Sequence, residues 1–389
     1  MAFSKFLSRQ KPPAPSSAAL ADPAHNDLRG DGERIYLVSM ASYPNYGDEL
    51  IARTWLRYLA EVKPAAEVWL DCRHPASASV LFRGDHPHLT TTDTLFRVLD
   101  LASQEWEQRS ITDIVTDLGS PLFDLQIAEM NRATTLHLLG GGFLNSQWPQ
   151  NLGLLEGMRA SVAVSGARLI ATGQGLMPDA GANFANFEHV SVRDRESSEL
   201  ASVDQSLDDA FLGLTRAGTP LGDVNEVVVC VQSDAVDEKS FEGFLDTVES
   251  ALEDPALAHA RLTYVEALPG ADYRGYEALS RRGVNFGRFV PFSEFWTEPF
   301  RFAPGQFWIT SRFHHHLVAA SRGARGFALV DSGEYYATKH GSLIELGSGW
   351  LPVHPGEALP AVADTHGQHG FDEAHSQKRR EADALYRNS

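Results

Sequence analysis

What most constrains this chain is an alternation that runs through most of it. A short apolar run is followed by a polar or glycine-rich turn, and then by a helix-length amphipathic stretch. Strand-like runs occur at Ile35–Met40 (IYLVSM), Val68–Leu70, Thr135–Leu139 (TLHLL), Arg168–Ala171 and His189–Val192. They recur at Glu226–Val231 (EVVVCV), Leu262–Val265, Val284–Val290 and Phe307–Thr310. Between them, Asp48–Val62 puts Ile51, Trp55, Leu59 and Val62 on one helical face. Leu152–Val164, Phe241–Leu252, Tyr273–Arg281 and Arg312–Ser321 are helical by the same spacing. Strands that alternate with helices belong to parallel sheets covered on both faces.

The chain has 389 residues, more than one ordinary core accommodates. The alternation also breaks near 212–225 (LGLTRAGTPLGDVN). The expected fold is therefore α/β, with two Rossmann-like domains, residues 31–212 and 225–350, facing a cleft. Residues 1–30, rich in Pro, Ala and Ser, read as a disordered tail. Residues 351–370 read as an irregular stretch. Residues 371–386 read as a polar surface helix with Phe371, Ala374, Ala382 and Leu385 on one side.

A net charge of -18 argues against a general nucleic-acid binder, which needs a broad cationic face. It leaves room for a local anion site, because screening over ~8 Å lets a few arginines outweigh distant carboxylates. The two cysteines, Cys72 and Cys230, exclude a disulfide framework and fit a reducing, cytoplasmic setting. No apolar run is long enough to span a membrane. Phe3, Phe6 and Leu7 beside Lys5, Arg9 and Lys11 allow at most peripheral contact with the inner membrane face.

Ligands of open α/β sheets bind at the carboxyl ends of strands, so the loops there hold the candidate residues. ASYPNYG precedes the first helix and supplies Asn45, Gly47 and Asp48. Asp48 reads as a general base, a sugar-hydroxyl acceptor or a first-turn carboxylate suited to the helix dipole. Gly140, Gly141 and Gly142 follow TLHLL, and Gly173-Gln174-Gly175 follows RLIAT. Glycines there let backbone approach a ligand, or make tight turns. The run is not a dinucleotide fingerprint. Arg193, in SVRDRES, ends a short strand, where a guanidinium grips a phosphate or carboxylate or pairs with a neighbouring acid. WITSRFHHHL puts Arg312 and His314 at a helix start, with Tyr335, Tyr336 and Lys339 downstream. Adjacent helical residues point ~100° apart, so the three histidines do not share one metal, and no metal is expected.

Taken together, NYGDELI (45–51), GGGFLN (140–145), GQGLMP (173–178), SVRDRES (191–197), DDAF (208–211) and SRFHHHLVAASRG (311–323) resemble the polysaccharide pyruvyl transferase family. The resemblance implies a GT-B-like fold, with the acceptor on the N-terminal side and the donor on the C-terminal side. It implies transfer of the pyruvyl group of phosphoenolpyruvate to two hydroxyls of a saccharide as a ketal, in cell-surface polysaccharide or glycoconjugate synthesis. Phosphoenolpyruvate is then a co-substrate and no cofactor is needed. The acceptor is a saccharide, including a lipid-linked one. By position, His314 and Asp48 fall on catalytic places. Arg193, Arg312, Lys339, Asn45, Gly141, Gly142 and Gln174 fall on substrate-binding places. The alternatives in the same cleft are a nucleotide-sugar glycosyltransferase and a non-catalytic saccharide or anion binder.

Overall fold

The computed structural model describes residues 32–117, 123–214, 224–297, 300–331, 334–367 and 371–387. The N-terminal tail and most of the break at 212–225 lie outside these residues. The first sheet contains β1 (Arg34–Val38), β2 (Glu67–Asp71), β3 (Leu89–Thr92), β4 (Thr135–Leu138), β5 (Arg168–Gln174) and β6 (His189–Val192). The second contains β7 (Glu226–Cys230), β8 (Arg261–Val265), β9 (Arg288–Val290), β10 (Gln306–Thr310), β11 (Arg325–Leu329) and β12 (Leu351–Val353). Every neighbouring pair is parallel.

The spatial orders are β3-β2-β1-β4-β5-β6 and β12-β11-β10-β7-β8-β9. With each sheet's own strands numbered one to six, both read 3-2-1-4-5-6, the dinucleotide-fold order. The two halves are therefore Rossmann-like, and together they form a GT-B-like pair. In this order the crossovers from strands 1 and 4 run in opposite directions. The loops leaving those strands part and open a crevice. Here those are the loops after β1 and β4 in one half, and after β7 and β10 in the other.

The apolar pattern explains the packing. All five residues of β1 and of β10 are buried, as expected for central strands of a two-faced sheet. The first helix, Tyr46–Val62, buries Ile51, Trp55 and Leu59 completely. Each such side chain contributes about 1.5–3 kcal/mol relative to exposure. Asn45 caps this helix, its side chain accepting from the Gly47 N–H at 3.4 Å.

Three sequence expectations change. Of Val284–Val290 only Arg288–Val290 is strand, because the first residues are spent leaving the preceding helix, with Gly283 at φ +100° and the Val284 N–H bonded back to the Leu279 carbonyl. The stretch 351–370 is not wholly irregular, since it begins with the edge strand β12. The last helix forms at Phe371–Tyr386 with Phe371, Ala374, Ala382 and Leu385 buried, but it is no mere surface addition. It returns to the first half of the chain, where Tyr58 donates to Asp383 at 2.9 Å and Arg168 to the Leu385 carbonyl at 2.9 Å. It also carries a fully buried lysine, Lys378, into that half.

Candidate active site

The four switch-point loops enclose one cleft of about 1330 Å³ between the halves. Asn45, Gly47, Asp48, Gly142 and Arg193 line it from the first half, and Arg312, His314 and Lys339 from the second. The halves meet directly here, where the Tyr46 N–H donates to the Ala267 carbonyl at 2.9 Å.

The glycines of the motifs are explained by what occupies the space of a Cβ. A Cβ on Gly47 would lie 1.9 Å from Nδ1 of His314. On Gly142 it would meet the Arg193 guanidinium at 2.8 Å and Nζ of Lys339 at 3.2 Å. On Gly175 it would meet Nε of Arg193 at 2.8 Å. On Gly140 and Gly173 it would strike the Asp209 carboxylate at 3.0 and 2.6 Å. Gly141, at φ +151°, lies against Phe143, with Asp48 at 3.6 Å. The glycine loops thus close first on this chain's own charged side chains. Gly142 is the one of the triplet that lines the cleft.

Those side chains form a linked set. Arg193 donates to Asp208 at 2.9 Å, both only 2% exposed, and its guanidinium lies 4.7 Å from the Phe313 ring centre. The other oxygen of Asp208 faces Nε2 of His314 at 3.3 Å. Burial pushes the Asp208 carboxyl up, but His314 and Arg193 more than offset it and hold it well below the usual carboxylate range. Asp48 accepts from Asn45 at 2.9 Å. Burial raises its pKa against the opposing pull of His314, Lys339 and Arg193. Burial and then the nearby Arg193 charge push the Lys339 ammonium well down, while Asp48 supports its charge. Across the domain boundary, therefore, an arginine, a lysine, a histidine and two carboxylates converge in a partly desolvated space.

Arg312 lines the cleft, where the sequence expects an anion-binding guanidinium, and it is also heavily paired. In the structure its guanidinium is braced by Asp272, at 2.5 and 3.0 Å, and by Asp234, at 2.5 Å. Asp272 is fully buried and accepts in addition from the Ala267 and Leu268 N–H groups. Burial disfavours the Arg312 charge, and the two carboxylates outweigh that and keep it cationic. Arg312 is a brace on the cleft wall, at the position just before the helix Phe313–Ser321.

The three histidines diverge. His314 enters the cleft. His315 sits among Tyr46, Phe295 and Trp308, with ring centres at 5.3–5.4 Å, and burial pushes its pKa down to about 3. His316 bonds His340 at 3.0 Å and stacks on Trp350 at 4.3 Å. Gln174 departs from expectation. It is fully buried, and its amide donates to the carbonyls of Leu139 at 2.9 Å and Thr172 at 2.8 Å. It ties β4 to β5 and does not line the cleft. The side chains of Tyr335 and Tyr336 lie outside the described residues.

Sequence reasoning quoted DDAF without giving its acids a role. Asp208 orients His314 and Arg193, and Asp209 holds the floor of the site. Asp209 accepts from Trp55 at 2.8 Å, the Gly140 N–H at 2.8 Å and Thr172 at 2.7 Å. Its other oxygen meets Lys378 of the last helix at 2.6 Å. Two adjacent acids before an apolar pair were the available signal. Their partners, up to 169 residues away in the case of Lys378, were not legible.

A family model described as polysaccharide pyruvyl transferase matches residues 45–330. No curated protein matches the chain. Among solved structures, the UDP-GlcNAc 2-epimerase of Methanocaldococcus jannaschii, in complex with UDP-GlcNAc and UDP, is 9% identical at a TM-score of 0.51. That match covers 90% of this chain and 98% of the epimerase. S. aureus MnaA, in a structure with UDP, is 9% identical at a TM-score of 0.50, covering 91% and 89% of the two chains. These likenesses concern the two-domain fold alone. The family match spans all six motifs, four of which contribute residues to the interdomain cleft, and the chain belongs to the polysaccharide pyruvyl transferase family.

Proposed function

We propose that this transferase moves the pyruvyl group of phosphoenolpyruvate to two hydroxyls of a saccharide, forming a cyclic ketal, in cell-surface polysaccharide or glycoconjugate synthesis. The observation that carries the reading is the convergence of Arg193 and Lys339 on the space in front of Gly142, with His314 lining the same cleft over Gly47. A donor with a carboxylate and a phosphate calls for paired cations from both walls. Arg193 and Lys339 supply them from opposite halves, so the donor site is complete only when the halves meet.

In the proposed chemistry, Asp208 takes Nε2 of His314, and Nδ1, over Gly47, carries the transferable proton. This follows the logic of an acid–base histidine oriented by a carboxylate. His314 protonates the methylene carbon of the donor, making it a methyl group and leaving C2 electrophilic. A sugar hydroxyl adds to C2 and loses its proton to Asp48. The C2–O bond to phosphate breaks, and phosphate leaves with a proton. A second hydroxyl then closes the ring and gives up its own proton. Of the two hydroxyl protons lost, one balances the new methyl hydrogen and the other the departing phosphate. The residues present supply every proton transfer, and the reading assigns no cofactor. The raised pKa of Asp48 suits a base, since a weakly basic carboxylate accepts protons poorly.

The test is phosphate release from phosphoenolpyruvate over a panel of saccharides, with His314→Gln beside the wild type. The reading expects acceptor-dependent release, and a loss of ~10²-fold or more in the variant while donor binding survives. Release that ignores the acceptor, or an unaffected His314→Gln, refutes it.

A further inference from the structure

The cleft is larger than its donor end requires. About 1330 Å³ exceeds the ~300–1,000 Å³ of a pocket for one drug-sized ligand. A three-carbon donor at Gly142 leaves most of it over. The lining also includes Tyr43, Arg73 and His74, and Gln147, Trp148 and Gln150.

The Tyr43 side is a built shelf. The Tyr43 and His74 rings stack at 5.8 Å with planes 22° apart, yet Tyr43 remains 59% exposed. Buried Ser42 ties the two loops together. Its hydroxyl accepts from the His74 N–H at 2.9 Å, and its own N–H donates to Glu49 at 2.8 Å. An aromatic face held open on a cleft wall matches the apolar C–H face of a pyranose, whose hydroxyls reach the polar rim. Tyr43 and Asp48 line the same cleft, so a sugar on the shelf shares that space with the proposed base.

Arg73 adds charge. Arg193 pairs with a carboxylate that is almost wholly buried, and Arg312 with fully buried Asp272 in addition to the partly exposed Asp234. The Asp100 partner of Arg73 is 63% exposed, at 3.3 Å, and solvent screening leaves such a pair little strength. Its guanidinium is also positioned over Phe96, 5.0 Å from the ring centre. An incoming anion displaces that surface partner at small cost.

We propose that this end of the cleft is the acceptor subsite and that the acceptor is an anionic saccharide, with its ring on the Tyr43–His74 shelf and its negative group on Arg73. The proposal rests on the pyruvyl-transfer reading for what happens at the other end. The anion is a uronate carboxylate or a sugar phosphate, and one experiment separates the two.

Ligand-observed NMR titrations of methyl glucoside, methyl glucuronide and glucose 1-phosphate are compared in a Lys339→Met background, which removes a competing donor-end cation. One or both anionic probes should bind ~5-fold or more tighter than the neutral glycoside, and Arg73→Gln should bring this preference within ~2-fold. Tyr43→Ala should weaken all three probes ~3–10-fold. Preference for the glucuronide identifies a uronate acceptor, and preference for the phosphate a phosphorylated one. Equal binding of neutral and anionic probes, or a preference that survives Arg73→Gln, overturns the proposal. The donor reading is scored separately, by phosphoenolpyruvate calorimetry on Arg73→Gln and Tyr43→Ala with Lys339 intact, which should stay within ~2-fold of wild type. If that titration gives no heat even in the wild type while the Arg73-dependent preference persists, the donor reading fails and the subsite stands.

Discussion

Lys378→Met removes the one lysine that the last helix buries in the first half of the chain. Lys378 and Asp209 are both fully buried, 2.6 Å apart, and Glu381 closes the group at 2.9 Å. Removing the ammonium leaves Asp209 charged among Trp55, Thr172 and the Gly140 N–H with no cation to compensate. Breaking a buried pair on one side costs about 3–5 kcal/mol, mostly for the stranded charge. For a lobe of about 200 residues each kcal/mol moves the melting midpoint by ~2–4 °C, so the expected fall is roughly 6–20 °C. Differential scanning calorimetry reads it directly. Lys378→Met/Asp209→Asn should recover much of the loss, because the neutral amide oxygen still accepts from the Trp55 and Gly140 donors. A single variant that loses less than ~1 kcal/mol, or a double variant no better than the single, would refute the claim that this ion pair holds the floor of the site.

Gly47→Ala favours the helix locally, since Ala exceeds Gly by ~1 kcal/mol in helix propensity. Its Cβ nevertheless collides with His314, so turnover should fall at least as far as in His314→Gln while circular dichroism stays native. Arg312→Ala should act on stability rather than affinity. It strands buried Asp272 at a cost of order 3–5 kcal/mol, visible as a lower melting midpoint, while phosphoenolpyruvate binding at low temperature changes less than in Lys339→Met. Burial raises the Glu49 carboxyl to about 8, so its folded pKa lies above the ordinary ~4.3 of the unfolded chain. That contribution is fully present below the ordinary value and is lost as pH rises toward 8. Glu49→Gln should therefore flatten the fall in stability between pH 5 and 9, measured by urea unfolding.

The sheets were legible because their signal is local. Runs such as EVVVCV and the face Ile51, Trp55 and Leu59 depend only on neighbours in sequence. Two of the four edge strands, β3 and β12, were not. LTTT of β3 and LPV of β12 carry little apolar patterning, because an edge needs less. In the site, position along a strand correctly put Arg193, His314, Asp48 and Gly142 at one cleft. It did not show that Gln174 is turned to backbone carbonyls, nor which carboxylates hold Arg312 at the cleft wall, because those partners are backbone groups or are distant in sequence. Asp272 lies 40 residues from Arg312, and no spacing rule predicts that pairing. The glycine motifs left open either room for a ligand or tight turns with close packing. The room at Gly140 and Gly173 is taken by Asp209, whose reach back across the sheet is a property of the fold.

The central claim is that cations from the two walls meet on one phosphoenolpyruvate molecule in front of Gly142. Isothermal titration of phosphoenolpyruvate into the wild type and Lys339→Met tests it most directly. The account predicts saturable binding by the wild type and a loss of ~1.5–3 kcal/mol, about 10- to 150-fold in affinity, in the variant. Equal affinity in the two proteins, or no binding by the wild type alongside tight binding of a nucleotide sugar, would contradict it.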